Sequence, residues 1–131
     1  MKRFIPVTTV LLLLLLRPVP AFALTGARPE AGVSISGPAE EVRKGGEFTI
    51  SVIFEFPEGT HQNLEKDFFY LILEGPPGFI LEEIIYPEAS YSEGIYSYHG
   101  STVLKGRIRV SPEVRTGQQA LLITAAYQLC D

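Results

Sequence analysis

The chain has one cysteine, Cys130, among its 131 residues, and it has no tryptophan. Without a second cysteine these residues can form no internal disulfide, so their fold must rest on a hydrophobic core. Only two histidines are present, and they show neither HxH nor HExxH spacing, which gives a metal centre little support. No serine stands in a Gly-x-Ser-x-Gly setting, so a hydrolase triad lacks its nucleophile.

Positive charge is scarce. Eleven lysines and arginines face fifteen aspartates and glutamates, for a formal net charge of −4. The first 23 residues hold three of the basic residues and none of the acidic ones, so the remainder carries 8 − 15 = −7. Because no basic stripe appears and the net charge repels a phosphate backbone, nucleic-acid binding is disfavoured.

Long apolar runs are absent except near the amino terminus, at Leu11 to Leu16. Lys2 and Arg3 precede this run, and Ala21-Phe22-Ala23 supplies the small residues of a cleavage site, a pattern typical of a secretory signal peptide. Arg17 ends the run well short of the roughly 20 apolar residues that a spanning helix needs.

The sequence therefore predicts three segments. A signal peptide covers residues 1–23, a polar lead covers 24–32, and one domain covers 33–131. Cleavage after Ala23 would leave 131 − 23 = 108 residues, a length that suits a single domain. The predicted location is exported, periplasmic or otherwise extracytoplasmic.

The apolar pattern of the domain has a period of two. In the clearest segment, one face carries Phe48, Ile50, Val52, Phe54 and Phe56, as expected for a half-buried strand. Further strands are expected at 33–36, 68–73, 81–86, 103–110 and 120–128, separated by glycine- and proline-rich stops. This predicts an all-β, immunoglobulin-like antiparallel β-sandwich that lacks its last strand after Gln128, which leaves a sheet edge exposed.

From the residues alone, Cys130 has three interpretations. A small, half-apolar side chain at a strand end can simply pack. A thiol close to a chain end can instead be a redox group or a bridge to another molecule.

The segment Tyr127-Gln128-Leu129-Cys130-Asp131 resembles the Tyr-Gln-x-Cys motif of the amino-terminal periplasmic domain of the thiol:disulfide interchange protein DsbD. Upstream features follow the same order in the chain. They are Gly59-Thr60-His61, Gly75-Pro76-Pro77-Gly78 before a strand that stops at Pro87, and Tyr98-x-Gly100. The likeness spans about Val33 to Asp131.

The resemblance implies an immunoglobulin-like domain that relays reducing equivalents from a membrane electron-donor domain to exported thioredoxin-like proteins, with no cofactor. Cys130 matches the first of the family's two cysteines, Tyr127 and Gln128 are its motif neighbours, and Tyr91 falls nearest to an aromatic loop that shields the pair. The second, resolving cysteine has no counterpart. We expect a reading frame cut short before that cysteine, rather than a naturally single-thiol descendant.

A different class of function is open as well. The tyrosines between Tyr86 and Tyr98 are typical of a recognition surface, so the alternative is a non-catalytic immunoglobulin-like binding module for an extracytoplasmic protein or glycan. The neighbours Glu82 and Glu83 are expected on opposite faces of a regular strand, which would keep them from acting as a paired acid and base.

Overall fold

A computed structural model describes residues 9–20, 30–38 and 41–130. The described chain is built of strands and turns, and it contains no helix that is long and apolar enough to cross a membrane. The all-β prediction is confirmed. The strands are β1 (Thr9–Pro20), β2 (Gly32–Ser36), β3 (Val42–Arg43), β4 (Glu47–Glu55), β5 (His61–Asn63), β6 (Tyr70–Glu74), β7 (Phe79–Ile85), β8 (Ser90–Ser92), β9 (Ile95–Tyr98), β10 (Ser101–Val110), β11 (Gly117–Tyr127) and β12 (Leu129–Cys130).

The strands form three four-stranded sheets. The first sheet has the order β3-β1-β11-β6, the second β2-β4-β10-β7, and the third β12-β5-β9-β8. Buried side chains from all three sheets belong to one hydrophobic cluster. The third sheet is small, because its strands are between two and four residues long.

Strand β4 shows why the sequence folds this way. Its alternate residues Phe48, Ile50, Val52 and Phe54 are buried, as is Phe56 just beyond its end, so the predicted core face is confirmed. Thr49 and Glu55 on the other face are exposed. This alternation is what a strand shows when only one face of its sheet meets the core.

An aromatic group fills one end of the core. Phe69 is fully buried, and its ring centroid lies 5.0 Å from that of Phe54, 5.5 Å from Tyr98 and 6.0 Å from Tyr86. Two tyrosine hydroxyls in this region donate to backbone carbonyls, Tyr86 to Phe69 at 2.6 Å and Tyr98 to Pro87 at 2.8 Å. A hydroxyl that is shielded from water needs such an acceptor, because leaving it unsatisfied is costly.

The amino-terminal apolar run forms strand β1, which lies between β3 and β11 and runs parallel to β11. The chain's own amino-terminal segment therefore covers the edge of β11 that was expected to be exposed. The β1–β11 pair is parallel and so departs from the expected antiparallel pattern. The signal peptide stays a prediction. Its cleavage point after Ala23 and most of the polar lead, 24–29, lie outside the described residues.

Two local features differ from the expected strand pattern. The tyrosine-rich segment expected as a loop is a hairpin of β8 and β9, with a turn at Glu93 and Gly94 that both have positive φ. In β7 a bulge places Glu82 as the extra residue opposite β10. Glu82 and Glu83 both reach Arg107, at 3.9 Å and 3.6 Å. The prediction of opposite faces assumed a regular strand and is wrong here.

Candidate functional site

Cys130 reaches its position because the chain changes sheets at Gln128. Strand β11 ends at Tyr127 in the first sheet, and after Gln128 the residues Leu129–Cys130 form β12 in the third sheet. There Leu129 lies opposite Gln62, and Cys130 lies opposite His61. The motif neighbours Tyr127 and Gln128 therefore form a corner, the bend between the two sheets, that places Cys130 beside β5.

Gln62 fixes this corner. Its side chain is 1% exposed, and its Oε1 atom accepts a 2.6 Å hydrogen bond from the backbone N–H of Gln128. Its Nε2 atom donates to the carbonyl oxygen of Asn63 at 2.9 Å. Both ends of the buried amide are thus used, so the amide can be buried without an unsatisfied donor or acceptor.

Replacing Gln62 by alanine should loosen the corner. The change leaves the Gln128 N–H without its buried acceptor, and we expect the free energy of unfolding to fall by about 1–3 kcal/mol. Alkylation of Cys130 in the folded protein should become faster, because β12 loses its tether to β5. Chemical denaturation and thiol alkylation followed by intact mass measure the two effects. Gln119→Ala, at a partly exposed glutamine of β11, is the control and should change neither.

The sulfur of Cys130 shares a polar face of the third sheet. Residues directly opposite each other, and those two apart on one strand, point to the same face. By the pairing of the strands this face carries Cys130, His61, Asn63 and Ser97. The Nδ2 atom of Asn63 donates to the Cys130 Sγ atom at 3.9 Å. The His61 ring lies 5.8 Å, centroid to centroid, from that of His99, whose Nε2 atom is 3.2 Å from the Ser97 hydroxyl.

Cys130 is half-buried and does not belong to the buried hydrophobic cluster. Strand β12 is an edge strand of its sheet, so in the described part of the chain no strand lies on its outer side. The thiol therefore sits at a sheet rim among polar side chains. Simple packing in the aliphatic core does not describe this position.

Tyr127 anchors the end of β11, on the first-sheet side of the corner. It is 2% exposed, its ring lies 6.0 Å from Phe54, and its hydroxyl oxygen accepts a 3.2 Å hydrogen bond from the Ala31 N–H. Burial raises the pKa of its phenol above 10.0, with a smaller opposing contribution from the Ala31 hydrogen bond and a raising one from Glu30. A buried, neutral tyrosine at this point holds the end of β11 in the core.

The buried Tyr98 and Tyr127 and the half-buried Tyr86 predict a loss of stability at alkaline pH. Burial raises the pKa values of Tyr86 and Tyr98 as well, and for Tyr98 a charge on Tyr86 would add to the effect. A pKa raised in the folded state gives stability that is complete below pH 10.0, the unfolded value, and is lost as the pH rises through the folded value. We expect the unfolding free energy to fall above about pH 10, and to fall less steeply in Tyr127→Phe, as measured by urea denaturation across this range.

Tyr91 does not lie beside the thiol. It is 63% exposed on β8, at the opposite edge of the third sheet from β12, and its ring centroid lies 4.7 Å from that of Tyr96, with the two rings tilted by 51°. Three strand spacings separate the two edges, about 14 Å at the usual spacing. Strand alternation also places Tyr91 on the other face from Cys130. Shielding by Tyr91 stays a prediction, and it requires the hairpin to move.

Two residues that the structure brings to the corner and the thiol, Gln62 and Asn63, were not singled out in the sequence. They directly follow the quoted Gly59-Thr60-His61 segment, and that proximity was their only signal. His61 lies within the segment but was considered only as a weakly supported metal ligand. In residues 9–20, 30–38 and 41–130, no group of three or more His, Cys, Asp or Glu side chains is placed to hold a metal ion.

Comparison of the chain with protein-family models, with curated proteins and with solved structures gives no match in any of the three. The function must therefore be argued from the site itself.

Proposed function

We propose that this chain is an exported, immunoglobulin-like thiol-disulfide exchange domain that relays reducing equivalents to thioredoxin-like partners, as its resemblance to the amino-terminal domain of DsbD implies. The observation that supports this best is the position of Cys130. Its half-buried sulfur lies on an edge strand, opposite an imidazole and next to an amide donor. Reactive cysteines occur in such partly exposed, polar surroundings, whereas structural ones lie in apolar interiors.

The proposed reaction begins with the thiolate of Cys130. It attacks one sulfur of a partner's disulfide, a new sulfur–sulfur bond forms, and the partner's other sulfur leaves as a thiolate. Cys130 is thereby oxidised into the mixed disulfide while the leaving sulfur is reduced. Attack by a second thiol, from the partner or from a small thiol such as glutathione, cleaves the mixed disulfide.

Two neighbours support the thiolate. The imidazole of His61, directly opposite Cys130, places an N–H donor on the same face as the sulfur, and a donor to the sulfur favours the thiolate over the thiol. The Asn63 Nδ2 donor at 3.9 Å adds a weaker stabilisation and orients the sulfur. Both side chains act on the nucleophile, so they are positioning residues.

A partner would approach Cys130 at the rim of the third sheet, where β12 is the edge strand in the described part of the chain. The partner's disulfide would have to lie alongside the half-buried cysteine there for the attack to occur. No cofactor takes part, because the electrons move as thiol and disulfide.

Capture of a mixed disulfide tests the proposal. The folded chain is incubated with an oxidised thioredoxin-like protein, quenched with acid and analysed by intact mass. Because Cys130 is the one cysteine of these 131 residues, the adduct should persist until a small thiol is added. Cys130→Ser should give none. Recovery of no adduct from the unaltered chain, at partner concentrations where a free peptide thiol reacts, would contradict exchange chemistry.

The second candidate, a binding module for an extracytoplasmic protein or glycan, is favoured by one observation. The hairpin of β8 and β9 exposes Tyr91 at 63%, Tyr96 at 55% and Ile95 at 48%, and exposed tyrosines are typical of recognition surfaces. If this is the function, Tyr91→Ala with Tyr96→Ala abolishes partner binding and Cys130→Ser leaves it unchanged. Exchange chemistry predicts that Cys130→Ser abolishes adduct formation.

A further inference from the structure

Strand β1 lies between β3 and β11, and no short loop connects it to β11. We call the position between β3 and β11 the β1 seat. Val10 lies opposite Gly117 at one end, and Pro20 lies opposite Tyr127 at the other. At its start β1 also pairs with β3, through Val10 opposite Val42. The pairing with β11 is parallel, so no hairpin joins the two strands.

The seat buries the side chains on one face of β1 and leaves those on the other face exposed. Val10 is fully buried, and Leu12, Leu14 and Leu16 pack against the hydrophobic cluster. The intervening Leu13 and Leu15 are 47% and 46% exposed. The segment has leucine at all six positions from Leu11 to Leu16, so the difference in burial comes from the seat and not from the segment. The seat thus accepts four aliphatic side chains at every second position.

One polar position follows the four aliphatic ones. The guanidinium of Arg17 donates to the Thr124 hydroxyl at 2.8 Å from Nη2 and 3.2 Å from Nε, and Nη2 lies 3.4 Å from a Glu74 carboxylate oxygen. The ion pair is exposed and adds little by itself. The Thr124 side chain is buried, so its hydroxyl is a fixed acceptor at this point of the seat.

We propose that the β1 seat is a docking site for an extended polypeptide strand with aliphatic side chains at four alternate positions followed by an arginine. Residues 9–20 fill it within the chain, and a separate strand of the same pattern fills it once the chain is cut between β1 and β2. Without a strand in the seat, one edge of β11 would lose its hydrogen-bonded partner strand, and the hydrophobic cluster beneath Val10 would be exposed. A separate strand bound there would restore the pairing and cover the cluster.

A cut in the connecting segment tests this on the full chain. A recognition sequence for a specific protease is inserted within residues 21–29, the folded protein is cleaved, and native mass spectrometry follows the amino-terminal fragment. We expect the fragment to stay bound. A fluorescent synthetic peptide with the sequence of residues 9–20 should then exchange into the cleaved protein.

Two peptides of identical composition and charge provide the matched control. One has Leu13→Glu and Leu15→Glu on the exposed face, and the other has Leu12→Glu and Leu14→Glu on the packed face. The first should bind the cleaved protein at least about tenfold more tightly, since only the second buries carboxylates. Equal affinities would overturn the proposal. So would release of the fragment to leave a folded, soluble remainder that binds neither peptide.

Discussion

Replacing Phe69 by alanine will lower the free energy of unfolding by about 3–5 kcal/mol, the range for a fully buried phenylalanine. The ring is completely buried and contacts the rings of Phe54, Tyr86 and Tyr98. Its loss leaves a cavity among aromatic side chains, two of which are held by hydroxyl hydrogen bonds to backbone carbonyls, so the neighbours can close it only partly. Small domains have roughly 5–15 kcal/mol of stability in total, and urea denaturation should show the midpoint falling sharply.

The adjacent residue is the control. Phe68 has the same side chain but is 43% exposed, and Phe68→Ala should cost less than about 1 kcal/mol. The two variants make the same chemical change one position apart. Similar losses from both would mean that the aromatic cluster does not carry the stability assigned to it.

Replacing His61 by alanine will slow disulfide exchange at Cys130 by about tenfold, the effect of losing an interaction worth about 1.4 kcal/mol with the thiolate. The imidazole lies directly opposite the cysteine on β5, and its N–H donor favours the thiolate. Stopped-flow kinetics with a small aromatic disulfide, measured from pH 5 to pH 9, give the profile.

His99 is the matched control for this prediction. It is exposed and lies on the far side of His61 from Cys130, with a ring distance of 5.8 Å to His61. His99→Ala should change the rate by less than about twofold, because its ring lies beyond His61 and is farther from the sulfur. If His61→Ala matches the unaltered chain over the whole pH range, the imidazole does not act on the thiol.

Sequence reasoning predicted the parts of the fold that local patterns determine. The alternation from Phe48 to Phe56 specifies both a strand and its buried face, because only one register puts every large apolar residue inside. Strands β2, β10 and β11 follow from the same signal and from the glycine and proline stops between them. The hairpin of β8 and β9 was expected as a loop, since its exposed tyrosines show no alternation of apolar and polar residues.

The amino-terminal segment shows where such patterns fail. A continuous run such as Leu11 to Leu16 has no polar face, so it has no periodicity from which a strand could be predicted. Its composition indicates a signal peptide instead. Its pairing with β11 depends on residues more than 100 positions away. The strand in the structure and the predicted signal peptide fall on the same apolar segment.

The surroundings of Cys130 were beyond prediction for the same reason. The cysteine could be found because it is the only one, but its neighbours come from a contact between Gln62 and Gln128, 66 positions apart. The position of Tyr91 in the sequence, compared with the family that the chain resembles, suggested that it lies close to the thiol. Strand order and alternation place it at the other edge and on the other face.

The most direct measurement is the second-order rate constant for Cys130 with a small disulfide in the folded chain, relative to the same chain in urea. Reaction at the rim of the third sheet predicts a folded-state rate within about tenfold of the unfolded one, since a partly exposed thiol needs no unfolding to react. A folded-state rate lower by about a thousandfold or more, falling further as stability rises, would mean that the sulfur reacts only when the domain opens. Cys130 would then be a packing residue.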